Sequence, residues 1–197
     1  EQDVDSGKIF LNNKNIEKIP THLRSKEGIG YLPQQRSVFN MTVYDNIIGI
    51  AQISIEGTQN QKEITEKILD EFNLQHLRNL SASVLSGGEV KRLMMARIMI
   101  NKPKIVLLDE PFSSLDAKTR EEMIELTYKN LIGKTVLLVT HEPGEALRLC
   151  ENIYILGKYK FSRERTLKPP FPKTYFDKKV FELQHKLLDK IRETHDV

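Results

Sequence analysis

The sequence has little cysteine and no apolar run long enough to cross a bilayer. Its single cysteine, Cys150, excludes an intrachain disulfide framework and is typical of a chain kept in a reducing compartment. No stretch approaches the ~18–20 consecutive apolar residues of a membrane-spanning helix. Residues 1–5 are acidic and polar, whereas a secretory signal peptide opens with a basic segment and then an apolar one, so no signal peptide is predicted.

The chain also lacks a strong excess of charge of either sign. It carries 30 Lys and Arg residues against 27 Asp and Glu residues, a formal net charge of +3. This excess is too small and too scattered to indicate a nucleic-acid partner, and none is expected. The 197 residues, of which 39% are hydrophobic, suffice for one sizeable core or for a core with a smaller lobe.

Short apolar runs alternate with segments of helical periodicity. Apolar residues recur every three or four positions between 42 and 101, which predicts a helical lobe. The runs at 105–108 and 136–139 are typical of strands buried on both faces of a parallel sheet. The other predicted elements are strands at 8–11, 28–32 and 152–156 and helices at 116–131 and 145–150.

This order of elements predicts an α/β core interrupted by a helical lobe. Residues 1–40 and 102–160 are expected to form the two parts of the core, and residues 41–101 the helical subdomain. Residues 161–197 contain a proline-bearing linker and then an amphipathic helix, which we expect to pack on the core because its charges are mixed in sign.

A glycine pair follows a capping residue in Leu85-Ser86-Gly87-Gly88-Glu89. Ser86 is a favoured N-cap and Glu89 stands three residues later, which together predict a capping box. Gly87 and Gly88 then fall in the first helical turn, where each glycine costs ~1 kcal/mol relative to alanine. Two explanations of the pair are open: close packing of the helix, or an anionic ligand that approaches exposed backbone N–H groups.

Two adjacent carboxylates, Asp109 and Glu110, end the apolar run at 105–108. The carboxyl end of a buried strand is where an α/β sheet opens to ligands. One acid at such a place can hold Mg²⁺, and the next can polarise a water for attack on phosphate. His141 follows the run at 136–139 and could contact a phosphate oxygen, although a lone histidine is more often structural. The other histidines, which show no metal-ligand spacing, are His22, His76, His185 and His195.

Taken in order, these motifs resemble the ABC ATPase family from residue 5 to about residue 156. The resemblance implies a P-loop NTPase-like ABC cassette, with a mostly parallel sheet core and an inserted helical subdomain. The matching segments are the Q-loop at 31–34, the signature motif at 85–89, the Walker B strand at 105–110, the D-loop at 113–116 and the switch histidine at 141.

The resemblance implies roles for individual residues. Asp109 and Gln34 are implied magnesium ligands, with Gln35 in place of Gln34 if the register slips by one. Glu110 is implied as the catalytic carboxylate, assisted by His141 and Gln34. The residues implied to bind nucleotide are Ser86, Gly87, Gly88, Glu89 and Asp116.

The resemblance also implies an ATPase that uses ATP and Mg²⁺ and works as a pair of cassettes, which a homodimer would supply. Two cassettes close head to tail around two ATP molecules, each offering its signature motif to the nucleotide of the other. Closure drives transmembrane permease subunits, which the segment at 39–53 is expected to face. The implied location is cytoplasmic, peripheral on the inner face of the cell membrane.

The family's phosphate-binding loop, Walker A or G-x-x-x-x-G-K-[ST], does not occur in these 197 residues. Gly7-Lys8 is a false match, because Gln2 stands where the first glycine belongs and Ile9 where Ser or Thr belongs. This segment resembles the piece that follows the loop, so the loop with its strand and helix is expected upstream, and the sequence is expected to be truncated at its N-terminus. Without them the chain alone is expected to hydrolyse ATP negligibly and to expose apolar core.

Cargo and direction of transport are open at the level of sequence. Residues 28–34, 42–46 and 71–78 resemble the ATPase of lipopolysaccharide export, whereas residues 141–146 and the tail resemble importers of nitrate, sulfonate or thiamine precursors. The sequence also leaves open a non-transport ABC protein and a catalytically incomplete structural fragment. Non-transport members usually carry a second cassette or long coiled coils, and degenerate cassettes tend to lose residues such as Asp109 and Glu110, which are present here.

Overall fold

The computed structural model describes residues 7–157, 161–168, 171–173 and 178–195. Its elements follow the predicted order, with three additions among those named below: the antiparallel partner β2, the short helix α1 and the strand β7. The strands are β1 (Phe10–Leu11), β2 (Lys14–Asn15), β3 (Ile29–Leu32), β4 (Ile105–Asp109), β5 (Thr135–Val139), β6 (Asn152–Leu156) and β7 (Phe161–Thr166). The helices are α1 (Thr21–Arg24), α2 (Val43–Ser54), α3 (Thr58–Glu71), α4 (Gly87–Met99), α5 (Ala117–Leu131), α6 (Pro143–Leu149) and α7 (Lys178–His195).

A parallel sheet of order β3-β4-β5 forms the centre of the molecule. β4 lies in the middle, with Leu108 opposite Leu32 on one side and opposite Leu138 on the other. Because the strands are parallel, their carboxyl ends meet at one edge, where Asp109 is paired with Val139. The residues that follow β4 and β5 therefore lie side by side.

The predicted helical lobe consists of α2, α3 and α4 and shares its core with the sheet. Buried residues of the lobe and of β3 and β4 belong to one apolar cluster, which includes Phe72, Leu93, Leu32 and Val106. Gly30 of β3 lies so close to α4 that an added Cβ would stand 2.3 Å from Cγ2 of Ile98. α4 therefore joins the lobe to the central sheet.

The terminal helix α7 packs on the molecule as predicted. Val180 and Leu187 of α7 form a buried cluster with Leu147 of α6 and with β6, which pairs antiparallel with β7. Cys150 borders this cluster, and burial raises the pKa of its thiol to about 11, as expected of a structural cysteine. In the part of the chain that the structure describes, no helix is both long enough and apolar enough to span a membrane.

The prediction that β5 is buried on both faces is wrong. Val136, Leu137 and Val139 are 37%, 57% and 52% exposed, although they belong to a strongly apolar strand. Among the described residues, no strand pairs with the outer edge of β5, and β6 belongs to a different sheet. Within the part of the chain that the structure describes, these three apolar side chains of β5 are therefore largely uncovered, which agrees with the expectation that apolar core is exposed.

Candidate nucleotide-hydrolysis site

The candidate catalytic carboxylate stands at a strained point of the backbone. Glu110 follows β4 directly and has a φ of 47°, in the left-handed region that costs an L-residue ~1–2 kcal/mol. Four hydrogen bonds hold its peptide groups: its N–H donates to the Val139 carbonyl at 2.9 Å, and its carbonyl accepts from Ser113 Oγ at 2.9 Å, from Lys91 Nζ at 3.3 Å and from the Ser113 N–H at 3.3 Å. Residues held in this way occur preferentially at functional sites.

His141 contacts the carboxylate of Glu110 directly. Its Nδ1 lies 2.6 Å from Oε1 of Glu110, and its backbone N–H donates to the same oxygen at 2.9 Å. An ionised carboxylate can only accept hydrogen bonds, so this contact places a proton on Nδ1. The hydrogen bond and the negative charge of Glu110 raise the pKa of His141, because both favour the imidazolium. The Glu110 side chain is 14% exposed and that of His141 is 69% exposed, so the histidine lies on the solvent side of the pair.

Asp109 is the last residue of β4 and lies beside Tyr31 of the neighbouring strand. The Tyr31 hydroxyl donates to Oδ2 of Asp109 at 3.3 Å. Burial raises the pKa of Tyr31, and the charge of Asp109 and this hydrogen bond raise it further. The described residues contain no group of three or more His, Cys, Asp or Glu side chains arranged around one metal position.

Lys91 of α4 joins the segment of Gln34 to Glu110. Its Nζ donates to the Gln34 carbonyl at 3.0 Å and to the Glu110 carbonyl at 3.3 Å. Burial lowers the pKa of this lysine, while the charges of Asp109 and Glu110 oppose that effect. The side chains of Gln34 and Gln35 are both exposed. The structure thus brings Gln34, Asp109, Glu110 and His141 to one end of the sheet.

The sequence reasoning missed Lys91, although a signal was available. Lys91 is spaced three from Gly88 and four from Met95, and both of these residues are buried. A lysine on the buried side of a helix needs partners for its ammonium group. Its spacing could have predicted the burial, but not the two carbonyls that it contacts.

The signature residues form a second group at the start of α4. The predicted capping box is confirmed: Ser86 Oγ accepts from the Glu89 N–H at 3.4 Å, and Glu89 Oε2 accepts from the Ser86 N–H at 2.8 Å. The Ser86 hydroxyl also donates to Glu89 Oε2 at 2.7 Å, and this bond, together with that from the Ser86 N–H, lowers the pKa of Glu89. The capping box fixes the N-terminus of α4. The N–H groups of a first helical turn have no partner within the helix, and the N-terminus of a helix favours an anion.

The two signature glycines differ in their surroundings. A Cβ added at Gly88 would lie 2.4 Å from Cγ2 of Thr119, whereas one added at Gly87 would meet only Cδ2 of Leu115, at 3.8 Å. Close packing against α5 therefore explains Gly88. It does not explain Gly87, where an added Cβ would make only an ordinary van der Waals contact.

Asp116 is the N-cap of α5. Its Oδ1 accepts from the N–H groups of Lys118 at 3.1 Å and Thr119 at 3.0 Å, and Thr119 Oγ1 donates to its Oδ2 at 2.5 Å. The carboxylate is thus engaged by its own helix, beside the packing contact between Thr119 and Gly88. Asp116 is thus linked to the signature motif through Thr119, which lies against Gly88.

A buried glutamate supports the loop that carries His141, and no local sequence pattern indicates it. Glu145 of α6 is 2% exposed and accepts from Thr140 Oγ1 at 2.7 Å. Arg120 of α5 approaches its other oxygen at 3.9 Å, and burial raises the pKa of Glu145. The hydrogen bond fixes the residue directly before His141.

Comparison with known proteins places these motifs in a family. The ABC transporter family model matches residues 1–113. The lipopolysaccharide export system ATP-binding protein LptB of Haemophilus influenzae is 38% identical over 159 residues, which cover 79% of this chain and 66% of the relative. LptB of Escherichia coli K12 is 36% identical over 159 residues, which cover 78% of this chain and 65% of the relative. The chain thus spans about two thirds of the length of these relatives.

Solved structures of ATP-binding cassettes share the fold. A dimeric cassette in a post-hydrolysis state, bound to ADP and Pi, matches with a TM-score of 0.70 and 27% identity, covering 83% of this chain and 75% of the other. An inward-facing metal-chelate type ABC transporter matches with a TM-score of 0.63 and 26% identity, covering 70% and 58%. The P-loop NTPase-like fold predicted from the motifs is thereby confirmed. From the order of its motifs, the match to the family model and the shared fold, the chain belongs to the ABC transporter family.

Proposed function

We propose that this chain forms the ATP-binding and ATP-hydrolysing part of an ABC transporter, in which closure of two cassettes around ATP drives membrane subunits. The observation that carries the proposal is the contact between Glu110 and His141, 2.6 Å long, at the carboxyl ends of adjacent parallel strands. This is where α/β sheets place ligands.

In the proposed chemistry, Glu110 orients and polarises the water that attacks the γ-phosphate of ATP. His141 fixes the direction of the carboxylate, and its raised pKa favours a positive charge near developing negative charge on phosphate. Asp109 and Gln34 offer oxygen ligands of the kind that Mg²⁺ prefers. When bound, Mg²⁺ would neutralise charge on the phosphates, and the nucleotide would supply the ligands that the protein does not.

The signature residues are proposed to serve the nucleotide of a second cassette. Ser86 and Glu89 align the first turn of α4, and Gly87 has no side chain to keep a ligand away from that turn. The signature residues form a group separate from Glu110 and His141. This separation is expected if each nucleotide is bound between the signature group of one chain and the Glu110 group of the other. The solved relative bound to ADP and Pi is a dimer, which supports this arrangement, and a homodimer is the simplest form of it.

An apolar surface on the lobe is proposed to dock the permease subunits. Phe39, Met41, Leu80 and Val84 are 53%, 45%, 46% and 70% exposed, and the backbone pairs the segments that carry them. Exposed apolar residues clustered in this way are typical of protein interfaces. Docking there would hold the chain at the inner face of the membrane. The named relatives serve lipopolysaccharide export, which favours an exporter over the importers.

The decisive experiment measures Mg²⁺-dependent ATP hydrolysis in two forms of the protein. The 197-residue chain alone is expected to show negligible turnover, because it has no Walker A motif to hold the β-phosphate. The same chain, fused at its N-terminus to the phosphate-loop strand and helix of a solved ABC cassette, is expected to hydrolyse ATP.

In the fused chain, Glu110→Gln should lower kcat by at least ~100-fold while ATP binding persists. Glu56→Gln, at an exposed glutamate of the lobe, is the matched control and should leave kcat unchanged. Turnover that survives Glu110→Gln in the folded fusion would overturn the proposal. Glu110-dependent turnover by the unfused chain would overturn the requirement for the loop.

A further inference from the structure

Lys91 stands on the signature helix, yet its ammonium group lies in the other half of the site. It is 8% exposed, and its Nζ contacts the carbonyls of Gln34 and Glu110 at 3.0 and 3.3 Å. Ser86, Gly87 and Gly88 begin the same helix about one turn earlier, ~5–6 Å along its axis. One rigid element thus carries the signature motif at its end and contacts the catalytic segment from its side.

We propose that Lys91 is a positioning residue that couples the signature motif to Glu110 and Gln34 of the same chain. The catalytic meaning of this coupling rests on the proposed function. There, the signature motif contacts the nucleotide bound by the second cassette, whereas Glu110 acts on the nucleotide bound by its own chain. If the nucleotide of the second cassette shifted α4 when it bound the signature motif, the ammonium group of Lys91 would shift with the helix. The carbonyls of Gln34 and Glu110, which accept its hydrogen bonds, would then move as well.

The conformation of Glu110 makes it sensitive to this contact. Its φ of 47° is held by the hydrogen bonds of its peptide groups, and Lys91 supplies one of them. Loss of a hydrogen bond from a charged donor allows a strained residue to relax. Relaxation of the backbone would turn the carboxylate away from His141.

Arg97 provides a matched comparison on the same helix. Its Nη1 donates to the carbonyl of Ser37 at 2.5 Å, so it holds the segment that follows Gln34. No hydrogen bond from Arg97 to Glu110 occurs among the described residues. Removing Arg97 should therefore loosen the segment of Gln34 alone, whereas removing Lys91 should loosen both segments.

Hydrogen–deuterium exchange on the 197-residue chain tests the contact without any need for activity. Lys91→Met, which keeps the volume but not the charge, should raise exchange roughly tenfold at two amides. One is the N–H of Ser113, which donates to the Glu110 carbonyl at 3.3 Å, and the other is the N–H of Phe39, which follows the Gln34 segment and donates to Asn46 Oδ1 at 2.9 Å. Arg97→Met should raise exchange at Phe39 only, and Lys91→Arg should keep both amides protected. Exchange that stays unchanged at Ser113, or that rises uniformly throughout a destabilised Lys91→Met chain, would overturn the proposal.

Kinetics of the fused chain test the coupling itself. Lys91→Met should lower kcat roughly tenfold, leave the KM for ATP within about twofold, and reduce the Hill coefficient for ATP toward 1. Lys67→Met, at an exposed lysine of α3, is the control that should change none of these. Unchanged kcat and Hill coefficient in Lys91→Met would overturn the coupling. Absence of turnover in the unsubstituted fusion would instead refute the proposed function and leave the exchange result standing.

Discussion

Single residues at the candidate site owe their geometry to contacts between elements that are distant in the sequence. Glu110 takes a left-handed backbone because β5, α4 and the following loop all hold its peptide groups. His141 meets its carboxylate because β4 and β5 are parallel and end in register. The pair is therefore a property of the sheet edge, and disturbing one member should change the other.

The first prediction concerns the titration of His141. Glu110→Gln removes the charge that favours the imidazolium, so the pKa of His141 should fall toward its ordinary value of 6.5. Because the pKa in the folded protein is raised, the contact stabilises the fold below the ordinary pKa, and this contribution is lost as pH rises through the raised one. NMR titration of the imidazole protons across neutral pH measures the shift.

Glu142→Gln is the control for this titration. Glu142 lies 3.8 Å from Nε2 of His141 and adds a smaller electrostatic effect. Its replacement should lower the pKa of His141 by less than Glu110→Gln does. Equal effects of the two variants would mean that general negative charge, rather than the contact at Nδ1, sets the pKa.

Sequence patterns could identify the residues that end apolar strands but not those that support them. Asp109, Glu110 and His141 follow short apolar runs, so the motif itself marks their place. Lys91 and Glu145 act through partners in other elements, to which no local pattern points. The order of the motifs predicted the family, whereas the contacts that fix Glu110 required the packed structure.

At the scale of elements, the contact between α4 and α5 explains one of the two signature glycines by packing and leaves the other without a packing explanation. Gly88 lies against Thr119, whose hydroxyl is engaged by Asp116 and so cannot rotate away without losing that bond. Gly87 lies in ordinary contact distance of Leu115 only. A methyl group at the two positions should therefore have opposite effects on stability.

The second prediction compares Gly87→Ala with Gly88→Ala in urea denaturation. Gly87→Ala should leave the free energy of unfolding unchanged or raise it by up to ~1 kcal/mol, because alanine favours the helix. Gly88→Ala should lower it by ~1–3 kcal/mol, because the added methyl overpacks the contact with Thr119. Thr119→Ser keeps the hydroxyl and removes Cγ2, so it should rescue Gly88→Ala. Failure of that rescue would show that the cost arises elsewhere.

Element boundaries show where sequence reasoning succeeds and where it stops. The predicted helix at 116–131 matches α5, Ala117–Leu131, because Asp116 is a strong N-cap signal. The predicted strand at 8–11 shrinks to Phe10–Leu11, and β2, Lys14–Asn15, was not predicted. β7, Phe161–Thr166, was missed because its central residues, SRER, are polar or charged and its strand partner among the described residues is β6. Short polar strands depend on a partner that the local sequence does not reveal.

At the scale of the whole molecule, an open sheet edge is the main structural liability. β5 presents Leu137 and Val139 at 57% and 52% exposure, while Leu138 on the other face packs against two apolar clusters. An exposed apolar strand with an unpaired edge favours pairing with another chain. The 197-residue chain should therefore associate with itself through this strand.

The third prediction compares Leu137→Lys with Leu138→Lys in the 197-residue chain. Leu137→Lys places a charge on the open face, so it should reduce self-association, measured by light scattering over a range of concentrations, and change the urea midpoint little. Leu138→Lys buries an unpaired charge between two clusters, so it should lower the free energy of unfolding by more than ~2 kcal/mol. Equal destabilisation by the two variants would mean that the outer face of β5 is covered in solution. Fusion to a phosphate-loop strand and helix should reduce association without either substitution, since a strand beside β5 would remove the edge that drives it.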